Sequence, residues 1–249
     1  MFKINHDAIF LSDAHENANK KHFLNFLKAL KDGKISLPSQ IFLLGDMFDF
    51  LINATYSQCF YGEYISILNE LSTKTQIFYF EGNHDFNLAE ILPNCKVFSI
   101  EKQPVRFEFY GKSVEKSEYI KKSVDIAHGD IFLPFITQKT LKILRNKMLL
   151  RFLNFLDFTL KYKISKAILR SQMHKKLDYK IEDFKDKISL RLRKFSADVV
   201  IEGHWHQNCS FEINDKFYIN LPSFACEQSF FVLQFAGSKI QILKRSLNV

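Results

Sequence analysis

Five short blocks of Asp, Asn and His residues are spaced along this chain, and each block follows a short apolar run. The runs are rich in β-branched and aromatic side chains, as is typical of buried strands. The carboxyl ends of parallel strands meet at one edge of a sheet, so we expect the blocks to form a single site. The blocks are residues 12–15, 45–49, 82–85, 128–130 and 203–206. The runs before them are residues 8–12, 40–44, 76–80, 125–127 and 198–201.

Helix-length stretches with apolar residues three and four apart lie between the first three strands, at residues 19–31 and 61–72. This alternation predicts an α/β core. After residue 203 the pattern changes to four short strands with turn residues at 214–215 and 237–238, which predicts an antiparallel meander. We therefore predict two sheets packed together, a β-rich C-terminal half on an α/β N-terminal half, with helices outside. The meander strands are residues 210–214, 217–221, 230–235 and 239–244.

The segment from about residue 131 to residue 197 breaks this pattern and is interpreted as a helical insertion, or lid, within a single domain of residues 1–249. It contains 17 Lys and Arg against 5 Asp and Glu, so it carries the positive charge of a chain whose net charge is +8. That asymmetry indicates a polyanionic or membrane-surface partner. The alternative is that its apolar residues form the insertion's own core and its charges a solvated face. One apolar stripe recurs at helical spacing: Leu141, Leu144, Met148, Phe152 and Phe155.

The overall composition is that of a soluble globular protein, with 47% apolar and 25% charged residues. No apolar run reaches the roughly 18 residues that a spanning helix needs, and the N-terminus lacks the pattern of a signal peptide. We therefore expect a cytoplasmic protein. Its four dispersed cysteines are then expected to be reduced.

The blocks together offer oxygen and imidazole ligands for two metal ions. Asp13 and His15 can reach one ion only if the strand before them ends in a loop. Asp46 is the natural bridging carboxylate, and Asn83 offers an amide oxygen. Mixed nitrogen and oxygen ligands without thiolates suit Mn²⁺, Fe²⁺ or Zn²⁺ better than Ca²⁺, and two such ions can clamp a phosphoryl group. The imidazole ligands would be His128, His204 and His206.

His84 follows a predicted ligand and would point elsewhere if Asn83 faces the metals. We expect it to protonate a leaving oxygen or to stabilise the transferred phosphoryl group, with Asp85 or another carboxylate orienting it. Asp49 and Asp130 are interpreted as residues that orient or cap the loops.

The residues resemble those of the calcineurin-like metallophosphoesterases, whose pattern is D-x-H, G-D-x-x-D, G-N-H-D/E, a later His and G-H-x-H. The resemblance spans residues 13 to 206 and implies an α/β fold, a four-layer αββα sandwich of two mixed sheets. It also implies that the two ions share Asp46. One ion would be bound by Asp13, His15, Asp46 and His206. The other would be bound by Asp46, Asn83, His128 and His204.

The helical lid between the fourth and fifth blocks is similar to that of the lipid A pathway enzymes that cleave UDP-2,3-diacylglucosamine. The best-studied branch of those enzymes has Arg where this chain has His84. The resemblance implies an acylated sugar-nucleotide substrate, two divalent ions with Mn²⁺ favoured, and peripheral contact with an anionic membrane surface. It also implies that substrate is bound by Asn83, Lys139, Lys142 and Arg145.

Two other functions are consistent with the same residues. One is a metallophosphoesterase acting on nucleotides, phosphoproteins or nucleic acid, with the basic lid as a phosphate-binding surface. The other is a scaffold without activity, which is disfavoured because this chain retains every ligand and the His after Asn83. The oligomeric state stays open.

Overall fold

The computed structural model describes residues 1–112, 119–236 and 239–246, and these residues form fourteen strands and eight α-helices. The strands are β1 (Phe2–Ile4), β2 (Ile9–Leu11), β3 (Gln40–Leu43), β4 (Leu51–Ile52), β5 (Gln76–Phe80), β6 (Asp85–Phe86), β7 (Lys96–Phe98), β8 (Val105–Lys112), β9 (Tyr119–Ala127), β10 (Val199–Glu202), β11 (Cys209–Ile213), β12 (Lys216–Asn220), β13 (Ser229–Ala236) and β14 (Lys239–Ser246). The helices are α1 (His22–Lys31), α2 (Thr55–Phe60), α3 (Gly62–Leu71), α4 (Phe135–Leu144), α5 (Lys147–Thr159), α6 (Lys163–Gln172), α7 (Phe184–Leu192) and α8 (Phe224–Glu227).

Two six-stranded mixed sheets form the centre of the molecule. The first has the order β14-β13-β2-β3-β5-β7, in which β2, β3, β5 and β7 are parallel and β13 and β14 are antiparallel to their neighbours. The second has the order β1-β8-β9-β10-β12-β11, with β9, β10 and β12 parallel. The predicted mixed sheets are thus confirmed. In each sheet, the strands that precede the polar blocks run parallel to one another.

Alternation along the strands separates the two faces of each sheet. Phe10, Phe42 and Phe78 project between the sheets, where Phe42 stacks on Phe10 at 4.5 Å between ring centroids and on Phe78 at 4.8 Å. Their neighbours Leu11 and Leu43 face the opposite way and pack with the buried side chains of α1 and α3. On the second sheet, Val200 and Tyr218 face outward and pack with α7 through Phe184, Ile188 and Leu192. The order is therefore helix, sheet, sheet, helix, as predicted.

The predicted C-terminal meander is wrong in its connectivity. The two antiparallel hairpins exist, but β11 and β12 lie in the second sheet, whereas β13 and β14 lie in the first. The chain crosses between them through α8, whose Phe224 is buried in the core beneath α1. Each sheet consequently takes strands from both halves of the chain. Turn residues mark a hairpin but carry no information about which sheet edge the hairpin joins. The predicted turn at 237–238 lies outside the described residues.

The chain between β9 and β10, which is interpreted as a helical insertion, contains α4 to α7. Its apolar stripe is not a core, because Met148, Phe152 and Phe155 are 80%, 58% and 62% exposed. The turn between α5 and α6 is held by Asp157, a buried carboxylate that accepts hydrogen bonds from the backbone of Ile164 and the hydroxyl of Ser165. In the described part of the chain, no helix is long and apolar enough to cross a membrane.

Candidate metal centre and active site

All five polar blocks lie at or directly after the carboxyl ends of strands. The first three follow β2, β3 and β5 of the first sheet, and the last two follow β9 and β10 of the second. Asp13, His15, Asp46, His204 and His206 all adopt left-handed backbone conformations, with φ between 45° and 61°. Such conformations are costly for residues other than glycine and concentrate at functional sites. The loop that Asp13 and His15 require to share a face is therefore present.

Three of the predicted ligands form one group at this edge. Nε2 of His206 lies 3.1 Å from Oδ1 of Asp13, and Nε2 of His15 lies 3.9 Å from the same oxygen. Each of these residues offers a ligand atom within 4.8 Å of the other two. This is the spacing of atoms that share one cation.

Asp46, His128 and His204 form a second group with the same spacing. Nε2 of His128 lies 3.4 Å from Oδ2 of Asp46, and the rings of His128 and His204 are 5.0 Å apart between centroids. Oδ1 of Asp46 accepts a hydrogen bond from the backbone of His84 at 2.8 Å, which fixes the carboxylate between the two loops.

Several buried atoms at the site have no hydrogen-bond partner within the described residues. They include Oδ1 of Asp13, Oδ1 of Asn83 and Nε2 of His128. A buried polar atom without a partner is costly, and most such atoms in folded proteins are paired. All three belong to predicted ligands and carry lone pairs that a divalent cation would satisfy. The residues present therefore fit two divalent ions.

The charges of the site suit cation binding. Burial raises the pKa of Asp13, but the neighbouring His206 outweighs it and lowers that pKa to about 2. Burial also opposes ionisation of Asp46, yet His128 and His84 hold its pKa well below the usual range. Burial and the charge of His128 lower the pKa of His204 to about 3. Burial lowers the pKa values of His128 and His206, but Asp46 and Asp13 outweigh it and raise both. Metal ions bind ionised carboxylates and neutral imidazoles, so a bound cation would replace the protons that these two histidines share with the carboxylates.

Hydrogen bonds at Nδ1 orient three of the imidazole rings. Nδ1 of His15 lies 3.0 Å from Oδ1 of Asp49, whose other oxygen accepts a hydrogen bond from Asn17 at 2.6 Å. Nδ1 of His128 faces the carbonyl of Leu44, and Nδ1 of His206 faces that of Leu177. Because these oxygens only accept, the three Nδ1 atoms carry the protons and the three Nε2 atoms are left for metal. Asp49 thus has the orienting role predicted for it.

Gly45 and Gly82 lie too close to predicted metal ligands to carry a side chain. A Cβ atom at Gly45 would collide with the ring of His128, and one at Gly82 would collide with the carboxylate of Asp46. Any larger residue at either position would displace a predicted ligand.

His84 lies beside the second group. Nδ1 of His84 is 3.1 Å from the carbonyl of Asp49, and Nε2 is 4.0 Å from Oδ2 of Asp46. Nε2 is also 3.2 Å from the ammonium of Lys175, which follows α6. Lys175 was not predicted from the sequence, because a lysine in a basic segment gives no signal of such a contact.

The orienting role predicted for Asp85 is wrong. Its buried carboxylate accepts hydrogen bonds from the backbones of Asp46, Met47 and Gly82 at 2.7–3.0 Å and from the hydroxyl of Tyr79 at 2.5 Å. Asp85 therefore links the loop after β3 to the loop after β5. The ring of His84 is held instead by the carbonyl of Asp49.

The predicted substrate-binding residues are dispersed. Asn83 lines an apolar pocket of about 320 Å³ together with His84 and side chains of α5 and α6. Lys139 and Lys142 are exposed on α4, and neither contributes to the lining of that pocket. Arg145 is buried, and its guanidinium contacts the carbonyl of Gly82 and the carboxylate of Asp130. The three basic residues therefore do not form one surface.

The family follows from a sequence match over most of the chain. The profile of the family described as "Calcineurin-like phosphoesterase" matches residues 8–208, so the chain belongs to that family. Among similar proteins is a "UDP-2,3-diacylglucosamine hydrolase" of Pseudomonas fluorescens (strain Pf0-1), 25% identical over 206 residues that cover 80% of this chain and 79% of that protein. A protein of the same name from Wigglesworthia glossinidia brevipalpis is 24% identical over 217 residues, covering 80% and 79%.

The fold has solved counterparts as well. A structure described as "GAP50 the anchor in the inner membrane complex of Plasmodium" matches with a TM-score of 0.53 and 13% identity, covering 96% of this chain and 84% of that one. At this identity the likeness concerns the fold alone. The chain is thus a metallophosphoesterase by family, with two candidate metal-binding groups.

Proposed function

We propose that this protein hydrolyses the diphosphate bond of UDP-2,3-diacylglucosamine and releases UMP and 2,3-diacylglucosamine 1-phosphate. Two observations support the proposal: the curated relatives that carry this activity in their names, and an apolar pocket beside the candidate metal centre. The pocket carries the argument, because its apolar lining can hold an acyl chain, a group that small polar phosphoesters lack.

The pocket of about 320 Å³ begins at Asn83 and His84 and extends under α5 and α6. Its lining is mainly apolar and includes Leu150, Leu153 and Ile168. Each methylene of an acyl chain buried there would contribute about 0.8 kcal/mol. A substrate whose diphosphate lies at the metal centre would then place an acyl chain between the lid helices.

In this proposal the ions are held by the sets given above, with Asp46 common to both and Mn²⁺ as the favoured metal. When bound, two such ions supply Lewis-acid stabilisation of the phosphoryl oxygens and a nucleophile from water. His84 stands next to Asp46 and would stabilise the transferred phosphoryl group or protonate the leaving oxygen.

The hydrogen bonds of His84 specify how it would act. Its Nδ1 carries a proton toward the carbonyl of Asp49, so Nε2 accepts a hydrogen bond from the ammonium of Lys175. Burial and the positive charges of His15 and Lys175 lower the pKa of His84, although Asp46 opposes them. A diphosphate inserted between His84 and Lys175 would take the lysine as its counter-ion. Its negative charge would favour a proton on Nε2, where the leaving oxygen needs one.

We further propose that the exposed face of the lid contacts an anionic membrane at its cytoplasmic side. Ile136, Met148 and Phe158 are 78%, 80% and 62% exposed, on helices that also carry Lys142, Lys147 and Arg151. Apolar side chains flanked by cations are the features of helices that lie in the interface of a charged bilayer.

The test is direct measurement of UMP release from UDP-2,3-diacylglucosamine by the Mn²⁺-loaded protein, with chelator-treated protein as the control. We expect turnover that chelation removes and Mn²⁺ restores. A metal-loaded protein that hydrolyses generic phosphodiesters but releases no UMP would refute the substrate. Strong, salt-dependent binding of nucleic acid in that case would favour the alternative phosphoesterase function.

A further inference from the structure

Two arginines of the helical insertion are buried against the loops that carry the second group of ligands. Arg145 directly follows α4, and its side chain is 7% exposed. One of its nitrogens, Nη2, donates to the carbonyl of Gly82 at 2.9 Å and contacts Oδ2 of Asp130 at 3.1 Å. Gly82 precedes Asn83, and Asp130 lies two residues after His128. A single guanidinium therefore joins the loops of two predicted ligands.

Arg191 of α7 makes the corresponding connection on the other side. Its guanidinium donates to the carbonyls of Gly129 and Ile131, the first at 2.9 Å, and makes two hydrogen bonds with the buried carboxylate of Glu202 at 2.7 and 3.2 Å. Gly129 directly follows His128. Glu202 ends β10, two residues before His204. The loops of His128 and His204 are thus held to each other through one side chain of the insertion.

The first group of ligands is supported differently. His15 is oriented by Asp49, which Asn17 holds in turn, and these residues lie outside the insertion. Its partner His206 does contact the insertion, because Nδ1 of His206 lies 2.9 Å from the backbone carbonyl of Leu177. The guanidiniums of Arg145 and Arg191 make their hydrogen bonds, within the described residues, only with the loops of the third, fourth and fifth blocks. The insertion therefore contacts both metal groups, but its two arginines hold the loops of Asn83, His128 and His204, whereas its contact with the first group is through the backbone of Leu177.

The planar fork of arginine is needed for the contacts of Arg191, whereas Arg145 makes both of its contacts through Nη2. A lysine at position 191 keeps the charge but presents one ammonium, which cannot reach two carbonyls and a carboxylate in the same plane. At position 145 an uncharged side chain such as methionine removes both contacts. The carbonyls left unpaired would be buried, and the loops would lose their fixed spacing.

We propose that Arg145 and Arg191 are positioning residues for the second metal ion, and that they couple docking of the helical insertion to formation of the set Asp46, Asn83, His128 and His204. The inference rests on the two-ion part of the proposed function but not on its substrate. Coupling of this kind is reciprocal, so an ion bound to the second set stabilises the docked helices.

The first test is calorimetric titration of the metal-free full chain with Mn²⁺. We expect two ions in the wild type. In Arg145→Met and in Arg191→Lys one ion should bind about 10- to 100-fold more weakly, the usual effect of losing an outer partner of a metal site, while the other is weakened less. Arg151→Met and Arg193→Lys are the matched controls, because both arginines are exposed in the same insertion. Unchanged affinities, or equal weakening of both ions, would overturn the proposal.

The second test needs no variant and stands if the substitutions prevent folding. Hydrogen exchange of the wild type is measured with and without Mn²⁺. Slower exchange in α7 and around Arg145, with no change in the β13–β14 hairpin, supports the coupling; unchanged exchange in α7 contradicts it. Wild-type protein that binds fewer than two ions refutes both this proposal and the two-ion site. Two bound ions without UMP release refute only the substrate.

Discussion

Leu153 and Phe152 are neighbours on α5 and offer a direct test of the pocket. Leu153 lines the apolar pocket, whereas Phe152 lies on the exposed face. Leu153→Trp should fill part of the pocket while leaving the metal centre intact. Phe152→Trp adds an indole to the same helix outside the pocket and is the matched control.

The expected magnitude follows from the acyl methylenes that the larger ring excludes. A Trp in place of Leu153 occupies the room of roughly two to three methylenes, each of which contributes about 0.8 kcal/mol when buried. The loss is about 2 kcal/mol, or about 30-fold in kcat/KM for the acylated substrate. Phe152→Trp should leave kcat/KM within about twofold of wild type.

The assay compares UMP release from substrates with acyl chains of decreasing length, and hydrolysis of a chromogenic phosphodiester that has no acyl chain. The loss in Leu153→Trp should shrink as the chains shorten and vanish for the small diester. Equal losses on the small and the acylated substrates would show that the substitution disturbs the metal centre. No loss on any substrate would show that the pocket does not bind acyl chains.

Four further predictions concern the metal centre and the lid. Asp46→Asn should abolish hydrolysis of every phosphoester, because it removes the bridging charge; an active variant in a steady-state assay would refute the shared ligand. His84→Ala should keep both ions in a metal titration while kcat falls by about 10²–10⁴, the scale of general acid–base catalysis, and loss of an ion would assign His84 to metal binding instead. The neighbouring His206 lowers the pKa of Asp13 from 3.8 to about 2. In metal-free protein the ionised carboxylate therefore stabilises the folded state by about 2 kcal/mol above pH 4. This stabilisation is lost as the pH falls toward 2. In urea unfolding, Asp13→Asn should therefore flatten the pH dependence in that range, and an unchanged slope would contradict the assignment. Asp157→Ala should lower the free energy of unfolding by about 0.5–2 kcal/mol, because it removes the hydrogen bonds that cap the start of α6. Thermal melting measures the loss, and an unchanged melting temperature would contradict this role.

Much of the fold and of the candidate site could be predicted because both depend on local pattern. The strands before the blocks are short and apolar, and their ends must meet wherever parallel strands share a sheet. The predicted strand at residues 76–80 coincides with β5, and helical spacing located the insertion between β9 and β10.

The remaining features depend on contacts that no local pattern encodes. Lys175 lies 91 residues from His84, and Arg191 lies 62 residues from Gly129. In the sequence both are ordinary members of a basic segment, because burial of a charge depends on which strands and loops the fold places around it. The same limit explains the misassigned role of Asp85, whose partners are backbone N–H groups present at every position of a chain.

The distribution of charge in the insertion bears on the two substrate classes that the sequence leaves open. The side chains of Arg145 and Arg191 are only 7% and 10% exposed and are paired with Asp130 and Glu202, so they add little to a phosphate-binding surface. The exposed lysines lie on helices that also carry solvent-exposed apolar side chains, such as Met148 at 80% exposure. Contact of these side chains with water is unfavourable. A polyanion that binds through its phosphates would leave those side chains in water, whereas an amphiphile would cover them and still meet the lysines with its charged head. The surface of the insertion therefore supports the proposed lipid-linked diphosphate over nucleic acid as the substrate.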